Sequence, residues 1–243
     1  MRRRFFVESF EGQRATLRGE NATHLARVLR AQPGQLYELS DGESVWLARV
    51  ERAGCEAVEF SLVEALPVEK SHLEITLLLS IVKFDRFEWS LEKAAELGVK
   101  RIVPLAAVRS ERALVTAAVK RARRWEKILY EAAQQARRLR PPDLGGALRA
   151  VEAFARSEDG VRLLLSERQD AAPLRSALRT KSQQKVTLAI GPEGGWTEEE
   201  FEAARAAGFA EVSLGANILR TETAVIAALA IVDYALGESA LLP

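Results

Sequence analysis

The chain has 243 residues, of which 48% are hydrophobic and 28% charged, so it can bury one large core or two modest ones and is neither disordered nor fibrous. Its single cysteine, Cys55, excludes an intrachain disulfide and a cysteine-based metal site, and this favours the cytoplasm as its compartment. The formal net charge of +1 gives no sign of a polyanionic partner by itself.

The two ends of the chain give no membrane signal. The N-terminal arginines are followed at once by Glu8 and Glu11, so this segment lacks the apolar core of a signal peptide. The longest apolar run near the C-terminus, Ala224–Val232, is too short to span a bilayer. We therefore expect a soluble, cytoplasmic protein with no membrane partner.

Residues 1–70 are predicted to form a small β-rich domain. Turn sequences at Asp41-Gly42 and Ala53-Gly54 suit tight hairpins, and one helical patch, Ala22–Arg30, interrupts the strand pattern. The predicted strands are Arg3–Glu8, Gln13–Leu17, Gln35–Leu39, Ser44–Arg52 and Ala57–Leu66. Five short strands joined by tight turns indicate a small barrel.

After a linker at Pro67–Ser71, the pattern of residues 71–243 changes to alternating strands and helices. The predicted strands are Leu73–Val82, Arg101–Ala106, Val161–Glu167, Lys185–Gly191 and Ala210–Gly215. The predicted helices are Asp85–Leu97, Thr116–Leu139, Val151–Arg156, Thr197–Ala207 and Thr221–Leu236. This alternation predicts an α/β domain with a parallel sheet covered by helices.

Several residues mark where these helices begin and end. Gly98 and Gly208 each follow an amphipathic run, as C-terminal glycines do. The run Thr197-Glu198-Glu199-Glu200 has the pattern of a capping box. Pro141-Pro142 is predicted to stop the long basic helix.

Positive charge is concentrated in one stretch of the chain. Between Ile81 and Arg140 there are 15 Lys and Arg residues against 7 Asp and Glu, a local excess of +8. Such a patch can guide a polyanion although the total charge is near zero. A solvated basic helix explains this feature equally well when it is taken alone.

A glycine-rich loop follows the buried-strand pattern of Val186–Ile190 and runs through Gly191-Pro192-Glu193-Gly194-Gly195-Trp196 into the capped helix. Ligands of open α/β folds bind at this edge of the sheet, and glycines let them approach the backbone. The glutamates of the loop and first helical turn oppose a phosphate, and no nucleotide-phosphate motif is present. The pattern therefore indicates a neutral or cationic small molecule, such as S-adenosylmethionine, or else a plain turn.

A second loop, Leu214–Ala224, follows the last predicted strand and opens the last helix. Thr221 or Thr223 could cap that helix. Arg220 stands just before it, at the same edge of the sheet as the glycine loop. A cation at a helix N-terminus gains nothing from the helix dipole, which favours a functional role for Arg220.

The two loops are similar to a known pair of motifs. The sequences IGPEGGWTEEEFE and LGANILRTETA resemble the paired C-terminal motifs of the 16S ribosomal RNA uracil-N3-methyltransferases, a SPOUT family. Four earlier stretches resemble the same family: KFDRFEWSLEKAAELGV, RWEKILYEAAQQARRLRPP, RRRFFV and HLARVLRAQPGQLYELSDG. The resemblance therefore covers nearly the whole chain.

The resemblance implies a SPOUT methyltransferase domain at 71–243, with a trefoil knot at about 161–243, and an RNA-binding PUA-like β-barrel at 1–70. It implies a homodimer that uses S-adenosylmethionine, releases S-adenosylhomocysteine and makes 3-methyluridine in small-subunit ribosomal RNA or the 30S particle. Asn217 departs from the family, where a basic residue is expected, and this puts one substrate contact in doubt.

By position, the resemblance also implies site residues. Those predicted to bind the cofactor are Leu165, Ser166, Glu167, Ile190, Gly191, Pro192, Glu193, Gly194, Gly195, Leu214, Gly215, Asn217, Ile218 and Leu219. Arg220, Thr221 and Glu222 would lie near the methyl group and the target base. We expect Arg220 to stabilise developing negative charge, and Glu222 to accept a proton or to orient Arg220. Positive charge, rather than the resemblance, predicts the RNA-binding residues, which are Arg2, Arg3, Arg4, Arg121, Arg123, Arg124, Arg137 and Arg138.

Other functions stay open at this stage. A non-catalytic RNA-binding protein would bind RNA without S-adenosylmethionine, and an α/β enzyme could use another adenosine-containing cofactor. A methyltransferase acting on transfer RNA or on another ribosomal position is the strongest rival, because pocket shape selects the base. The only histidines, His24 and His72, are far apart in the sequence and have no clustered carboxylates, so no metal site is expected.

Overall fold

The computed structural model describes residues 3–68, 71–179 and 184–237. The chain divides into two compact units, of which the first contains residues 1–70 and 133–141 and the second contains 71–132 and 142–243. The sequence predicted two domains, 1–70 and 71–243. The sequence did not predict that the short segment 133–141 would belong to the first unit.

The first unit is built on a five-stranded sheet in the order β1-β3-β4-β5-β2. Its strands are β1 (Arg4–Phe6), β2 (Arg14–Arg18), β3 (Leu36–Ser40), β4 (Val45–Ala53) and β5 (Ala57–Leu66), and helix α1 (Gly19–Thr23) continues into a π-helical turn at His24–Val28. Alternate side chains such as Val58, Phe60 and Leu62 of β5 enter the core. The five predicted strands and the helical patch are confirmed, whereas a closed barrel stays a prediction.

The second unit is built on a parallel sheet in the order β11-β13-β10-β12-β6-β7-β8, with β9 also paired to β7. Its strands are β6 (Glu74–Ser80), β7 (Arg101–Ala106), β8 (Asp143–Leu144), β9 (Leu148–Arg149), β10 (Val161–Leu165), β11 (Ala172–Pro173), β12 (Lys185–Ile190) and β13 (Ala210–Ser213). The helices are α2 (Phe84–Glu96), α3 (Arg112–Gln135), α4 (Ala150–Ala155), α5 (Leu174–Leu178), α6 (Glu198–Ala206) and α7 (Thr221–Leu236). The predicted α/β fold with a parallel sheet is therefore confirmed.

Helices cover both faces of this sheet. On one face, Phe87 of α2, Trp125 of α3 and Leu229 of α7 pack against the strands. On the other face, Phe154 of α4 and Phe201 of α6 do so. Burial on both faces explains why strands such as β6 and β12 appear in the sequence as nearly continuous apolar runs.

Most of the predicted helix boundaries are confirmed. Gly98 and Gly208 have φ of 83° and 77° and lie just beyond helix ends. The capping box is present: the Thr197 hydroxyl accepts from the Glu200 N–H, and the Glu200 carboxylate accepts from the Thr197 N–H at 2.9 Å. In the part of the chain that the structure describes, no helix is both long and apolar enough to cross a membrane.

The long helix α3 ends at Gln135, well before Pro141-Pro142, so the prediction that the prolines stop it was wrong. Arg137 takes the left-handed conformation with φ of 53°. The Arg138 N–H then donates to the Ala133 carbonyl oxygen at 2.9 Å. This is the backbone pattern of a Schellman motif, which satisfies the last carbonyls and ends the helix without proline.

Candidate active site

The site lies where three neighbouring strands of the second unit end. Strand β10 lies between β13 and β12, with Leu165 in register with Val212 and Leu164 with Ala189. Because the three strands are parallel, their carboxyl ends meet at one edge, and the loops after them emerge side by side. The Ser166 N–H donates to the Val212 carbonyl oxygen at 2.9 Å, so the pairing continues into the loops.

These loops enclose a cavity of about 680 Å³. It is lined by every residue that the sequence predicted to bind the cofactor, and by Arg220 and Thr221. Glu222 is not among the lining residues. The lining residues that sequence reasoning did not assign are Arg109, Arg168, Trp196, Glu198, Phe201 and Ala224, whereas Ala216 lies within the predicted cofactor loop Leu214–Leu219.

The glycine loop is a tight turn that has little room for side chains. Gly195 has φ of 69°, and its N–H donates to the Pro192 carbonyl oxygen at 2.8 Å. A Cβ atom at Gly191 would lie 3.0 Å from Cε2 of Trp196. The Trp196 indole is buried, and its Nε1 donates to the Leu165 carbonyl oxygen at 2.9 Å. Trp196 therefore joins the glycine loop to the loop after β10.

Arg109 holds the other side of the glycine loop. Its Nη1 donates to the Gly194 carbonyl oxygen at 2.8 Å. The neighbouring Val108 N–H donates to Glu200 Oε1 at 2.9 Å, and Glu200 is almost fully buried. The carboxylate of the capping box thus also fixes the loop that carries Arg109. Arg109 lies in no recognisable motif, so only the three-dimensional structure could reveal its position.

A second arginine borders the cavity from the loop after β10. The guanidinium of Arg168 lies 3.7 Å from the ring centroid of Phe201 and is ion-paired with Glu198. The hydrogen bond from Arg168 to the Glu198 carboxylate raises the pKa of that guanidinium above its usual value. Much of the negative charge that Glu198 brings to this edge is therefore offset within the chain.

Arg220 is the N-cap residue of α7 but its side chain makes no capping hydrogen bond. Thr221 is the first helical residue, so neither Thr221 nor Thr223 occupies the capping position, and that prediction was wrong. Within the described residues, the exposed Arg220 side chain has no hydrogen bond or ion pair. Its guanidinium is therefore available to a ligand in the cavity.

Glu222 follows two residues later and is buried. Its Oε1 lies 4.0 Å from Nε of Arg86 in α2, while its Oε2 has no hydrogen-bond partner among the described residues. Arg86 is also ion-paired with Glu193 of the glycine loop. The prediction that Glu222 orients Arg220 was wrong, because Glu222 pairs with Arg86 instead.

The first unit carries five of the predicted RNA-binding residues: Arg2, Arg3, Arg4, Arg137 and Arg138. Arg2 lies outside the described residues, and Arg3 is exposed. Arg4 Nη2 pairs with Glu38 Oε2 at 2.9 Å, and Arg137 Nη1 lies 3.7 Å from Glu38 Oε1. Burial lowers the pKa of Arg138 to about 10. Arg4 and Arg137 are thus engaged by Glu38, and Arg138 is half-buried.

The other three predicted RNA-binding residues lie on α3. Arg121 Nη1 and Arg124 Nε pair with the Glu88 carboxylate of α2 at 3.2 and 2.8 Å. Arg123 and Arg124 are exposed. The pairing leaves Arg124 mostly in solvent, so it does not prevent a phosphate contact, and RNA binding by this helix stays a prediction.

No metal centre was found in the ranges that the structure describes. There, no group of three or more His, Cys, Asp or Glu side chains could hold an ion. His24 belongs to the first unit and His72 to the second. The expectation that the protein needs no metal is not tested by this finding.

A family model of an RNA methyltransferase domain matches residues 69–233 of this chain. The matched segment includes all three loops of the cavity and the sheet that carries them. The fold and candidate site of the second unit are therefore those of an RNA methyltransferase domain.

Individual relatives narrow the family further. The ribosomal RNA small subunit methyltransferase E of Synechocystis is 34% identical over 230 residues, which cover 92% of this chain and 74% of that protein. The Neisseria gonorrhoeae enzyme of the same name, solved with S-adenosyl methionine bound, is 31% identical, with a TM-score of 0.87 and coverage of 98% and 100%. A Legionella pneumophila methyltransferase solved with the same cofactor is 30% identical, with a TM-score of 0.87 and coverage of 98% and 99%. The chain belongs to the ribosomal RNA small subunit methyltransferase E family, as its two C-terminal loops predicted.

Proposed function

We propose that this protein transfers a methyl group from S-adenosylmethionine to N3 of a uridine in 16S ribosomal RNA. The observation that carries the proposal is the cavity at the ends of β10, β12 and β13, which is lined by every residue predicted to bind that cofactor. The Neisseria and Legionella relatives, which are similar over almost the whole chain, were solved with this cofactor bound.

The chemistry of the cavity suits this cofactor. Its volume of about 680 Å³ lies within the range of about 300 to 1,000 Å³ that is usual for small-molecule sites. The lining holds three carboxylates, of Glu167, Glu193 and Glu198, and three arginines, Arg109, Arg168 and Arg220, so it carries no net positive charge that would select a phosphate. Backbone groups around Gly215 would hold the adenosine, because a Cβ atom there would meet nothing within 4 Å.

S-adenosylmethionine, when bound, supplies a methyl group on a positively charged sulfur that is ready for nucleophilic attack. The protein must place N3 of the uracil in line with that methyl group. Arg220 borders the cavity and has no partner among the described residues, so it would stabilise negative charge as it develops on the uracil oxygens. Glu222 does not line the cavity, and its buried Oε2 has no hydrogen-bond partner among the described residues, so the base would have to reach that oxygen past Thr221 for Glu222 to accept the N3 proton.

The remaining elements of the proposal follow from the family. The target uridine would be unpaired or flipped out, because a stacked base could not enter the cavity. Residues at about 161–243 would form a trefoil knot, and the first unit would be a PUA-like barrel that binds RNA. Two copies of the chain would form a homodimer that acts in the cytoplasm on small-subunit ribosomal RNA or the 30S particle.

Two measurements test the proposal in sequence. Isothermal titration with S-adenosylmethionine should show binding, while ATP and NAD as controls should show none. Incubation with 30S particles that lack the modification, followed by nuclease digestion and mass spectrometry, should then yield 3-methyluridine. Absence of S-adenosylmethionine binding, both alone and with the RNA present, would contradict the cofactor assignment. A different methylated nucleoside would contradict the choice of target atom.

A further inference from the structure

Arg86 of α2 connects two parts of the site that are far apart in the sequence. Its guanidinium is ion-paired with Glu193 in the glycine loop. The same guanidinium lies 4.0 Å, measured from Nε, from Oε1 of Glu222 in the first turn of α7. The Arg86 side chain is only 25% exposed, so its position is set by packing as well as by charge. One cation therefore joins the glycine loop to the turn that carries Arg220 and Thr221.

Burial of Glu222 is costly and calls for an explanation. Only 9% of its side chain is exposed, and Oε2 has no hydrogen-bond partner in the described part of the chain. A buried carboxylate lowers stability unless a cation and hydrogen-bond donors compensate it. Arg86 is the cation that faces it, and it leaves one acceptor oxygen unused. A buried carboxylate oxygen that is left without a donor is suited to accept a hydrogen bond from a neighbouring group.

The charges of this cluster also agree with a cationic ligand. One guanidinium lies between two carboxylates, so Arg86, Glu193 and Glu222 together carry an excess of one negative charge. Glu193 lines the cavity, and its ion pair with Arg86 fixes the Glu193 side chain within the glycine loop. Arg86 thus reduces, without removing, the negative charge at this side of the cavity.

We propose that Arg86 is a positioning residue for methyl transfer, which holds the Glu222 carboxylate in place and fixes the glycine loop through Glu193. This inference rests on the proposed function. Arg86 does not line the cavity, so it acts through the two carboxylates and touches neither cofactor nor base. Its loss should slow the transfer step much more than it weakens cofactor binding, because Glu222 belongs to the turn that carries the lining residues Arg220 and Thr221, while many backbone groups hold the cofactor.

The test compares Arg86→Gln with Lys93→Gln, a matched control on the same helix. Lys93 also lies between two carboxylates, Glu92 and Glu96, at 2.8 Å from each, and its side chain is 26% exposed. The turnover rate kcat is measured with saturating 30S particles and S-adenosylmethionine. The cofactor Kd is measured by isothermal titration of the full-length protein. Arg86→Gln should lower kcat by about 100-fold while raising Kd by less than about 10-fold. Lys93→Gln should change both by less than about 3-fold, because neither Lys93 nor its partners Glu92 and Glu96 line the cavity.

Two further variants separate positioning from a general loss of structure. Arg86→Lys, which keeps the charge but loses the fork of the guanidinium, should recover part of kcat. Added guanidinium ion should raise the turnover of Arg86→Gln and leave Lys93→Gln unchanged. If Arg86→Gln does not fold, the fold changes in kcat and in cofactor Kd are measured for Arg86→Lys instead. They are compared with the corresponding fold changes for Lys93→Gln.

The outcomes distinguish this inference from the proposed function. An active wild-type protein whose Arg86 variants keep full turnover, or lose kcat and cofactor affinity in equal measure, would overturn the positioning role alone. A wild-type protein that transfers no methyl group to 30S particles would overturn the proposed function and the inference with it.

Discussion

The indole Nε1 of Trp196 donates a 2.9 Å hydrogen bond to the backbone carbonyl oxygen of Leu165. The bond crosses from the end of the glycine loop to the end of β10, and it is buried. The indole also packs edge-on against Phe154 at a centroid distance of 5.6 Å. Trp196 therefore sets the distance between two walls of the cavity.

This arrangement predicts the effect of a single methyl group at Gly191. In Gly191→Ala, the new Cβ would lie 3.0 Å from Trp196 Cε2, and the indole would have to move away from Leu165. We expect the free energy of unfolding to fall by about 1–3 kcal/mol, as for other overpacked sites. The affinity for S-adenosylmethionine should fall as well, because the cavity wall moves.

Denaturant unfolding and calorimetric titration measure the two effects. Gly146→Ala is the control, since a Cβ there meets no atom within 4 Å. A Gly191→Ala protein with the stability and cofactor affinity of this control would show that Trp196 does not set the shape of the cavity.

Arg220 and the cavity allow a second prediction. Its side chain is exposed and has no partner within the described residues, so Arg220→Ala should leave the free energy of unfolding nearly unchanged. If Arg220 stabilises charge that develops on the uracil, kcat should fall by about 100- to 1,000-fold while the cofactor Kd changes little. Single-turnover kinetics on 30S particles and calorimetry measure these quantities. Equal losses of kcat and of cofactor affinity would indicate that Arg220 binds the cofactor instead.

The sequence predicted the fold of the second unit well because the signals were local. Buried strands such as β12, the capping box at Thr197 and the glycine at position 208 are each determined by neighbouring residues. Strands of two residues, such as β8, carry no periodicity and were missed. The end of α3 was predicted wrongly because the left-handed conformation of Arg137 has no sequence signature.

For the candidate site, resemblance predicted the lining loops, but the contacts that hold them depend on distant parts of the chain. Arg109 reaches Gly194 from the loop after β7, and Arg86 reaches Glu193 and Glu222 from α2. Such pairings bring together residues separated by a hundred positions or so, and no spacing rule connects them. Side-chain charge alone does not show which arginines are accessible to a phosphate: Arg4 is paired with Glu38 and only 14% exposed, whereas Arg124 is paired with Glu88 but stays 61% exposed.

The basic surface of α3 gives a third prediction. The double substitution Arg123→Glu and Arg124→Glu should weaken binding to small-subunit RNA and flatten its dependence on salt. Each phosphate contact that is lost should reduce the slope of log K against log salt by about 1. Binding is measured by filter retention at several salt concentrations.

The control for this substitution is Lys185→Glu, which reverses an exposed cation that pairs with Glu158. An unchanged salt slope in the α3 variant would remove these two arginines from the RNA footprint. If the slope of log K against log salt falls as much in Lys185→Glu as in the α3 variant, the effect is a general one of net charge.

Glu38 gives the last prediction, which concerns the first unit. Its side chain is 9% exposed and pairs with Arg4, which is 14% exposed, and with Arg137 from the segment 133–141. Glu38→Gln would leave the Arg4 guanidinium buried without a counter-charge, and breaking a buried pair in this way costs about 3–5 kcal/mol. The exposed pair Arg52–Glu59 offers a control, because Glu59→Gln should cost only about 0–1 kcal/mol. Hydrogen exchange should become faster at residues 36–40 and 133–141 in Glu38→Gln and stay unchanged there in Glu59→Gln. If both variants exchange alike, Glu38 is not what attaches the segment 133–141 to strand β3.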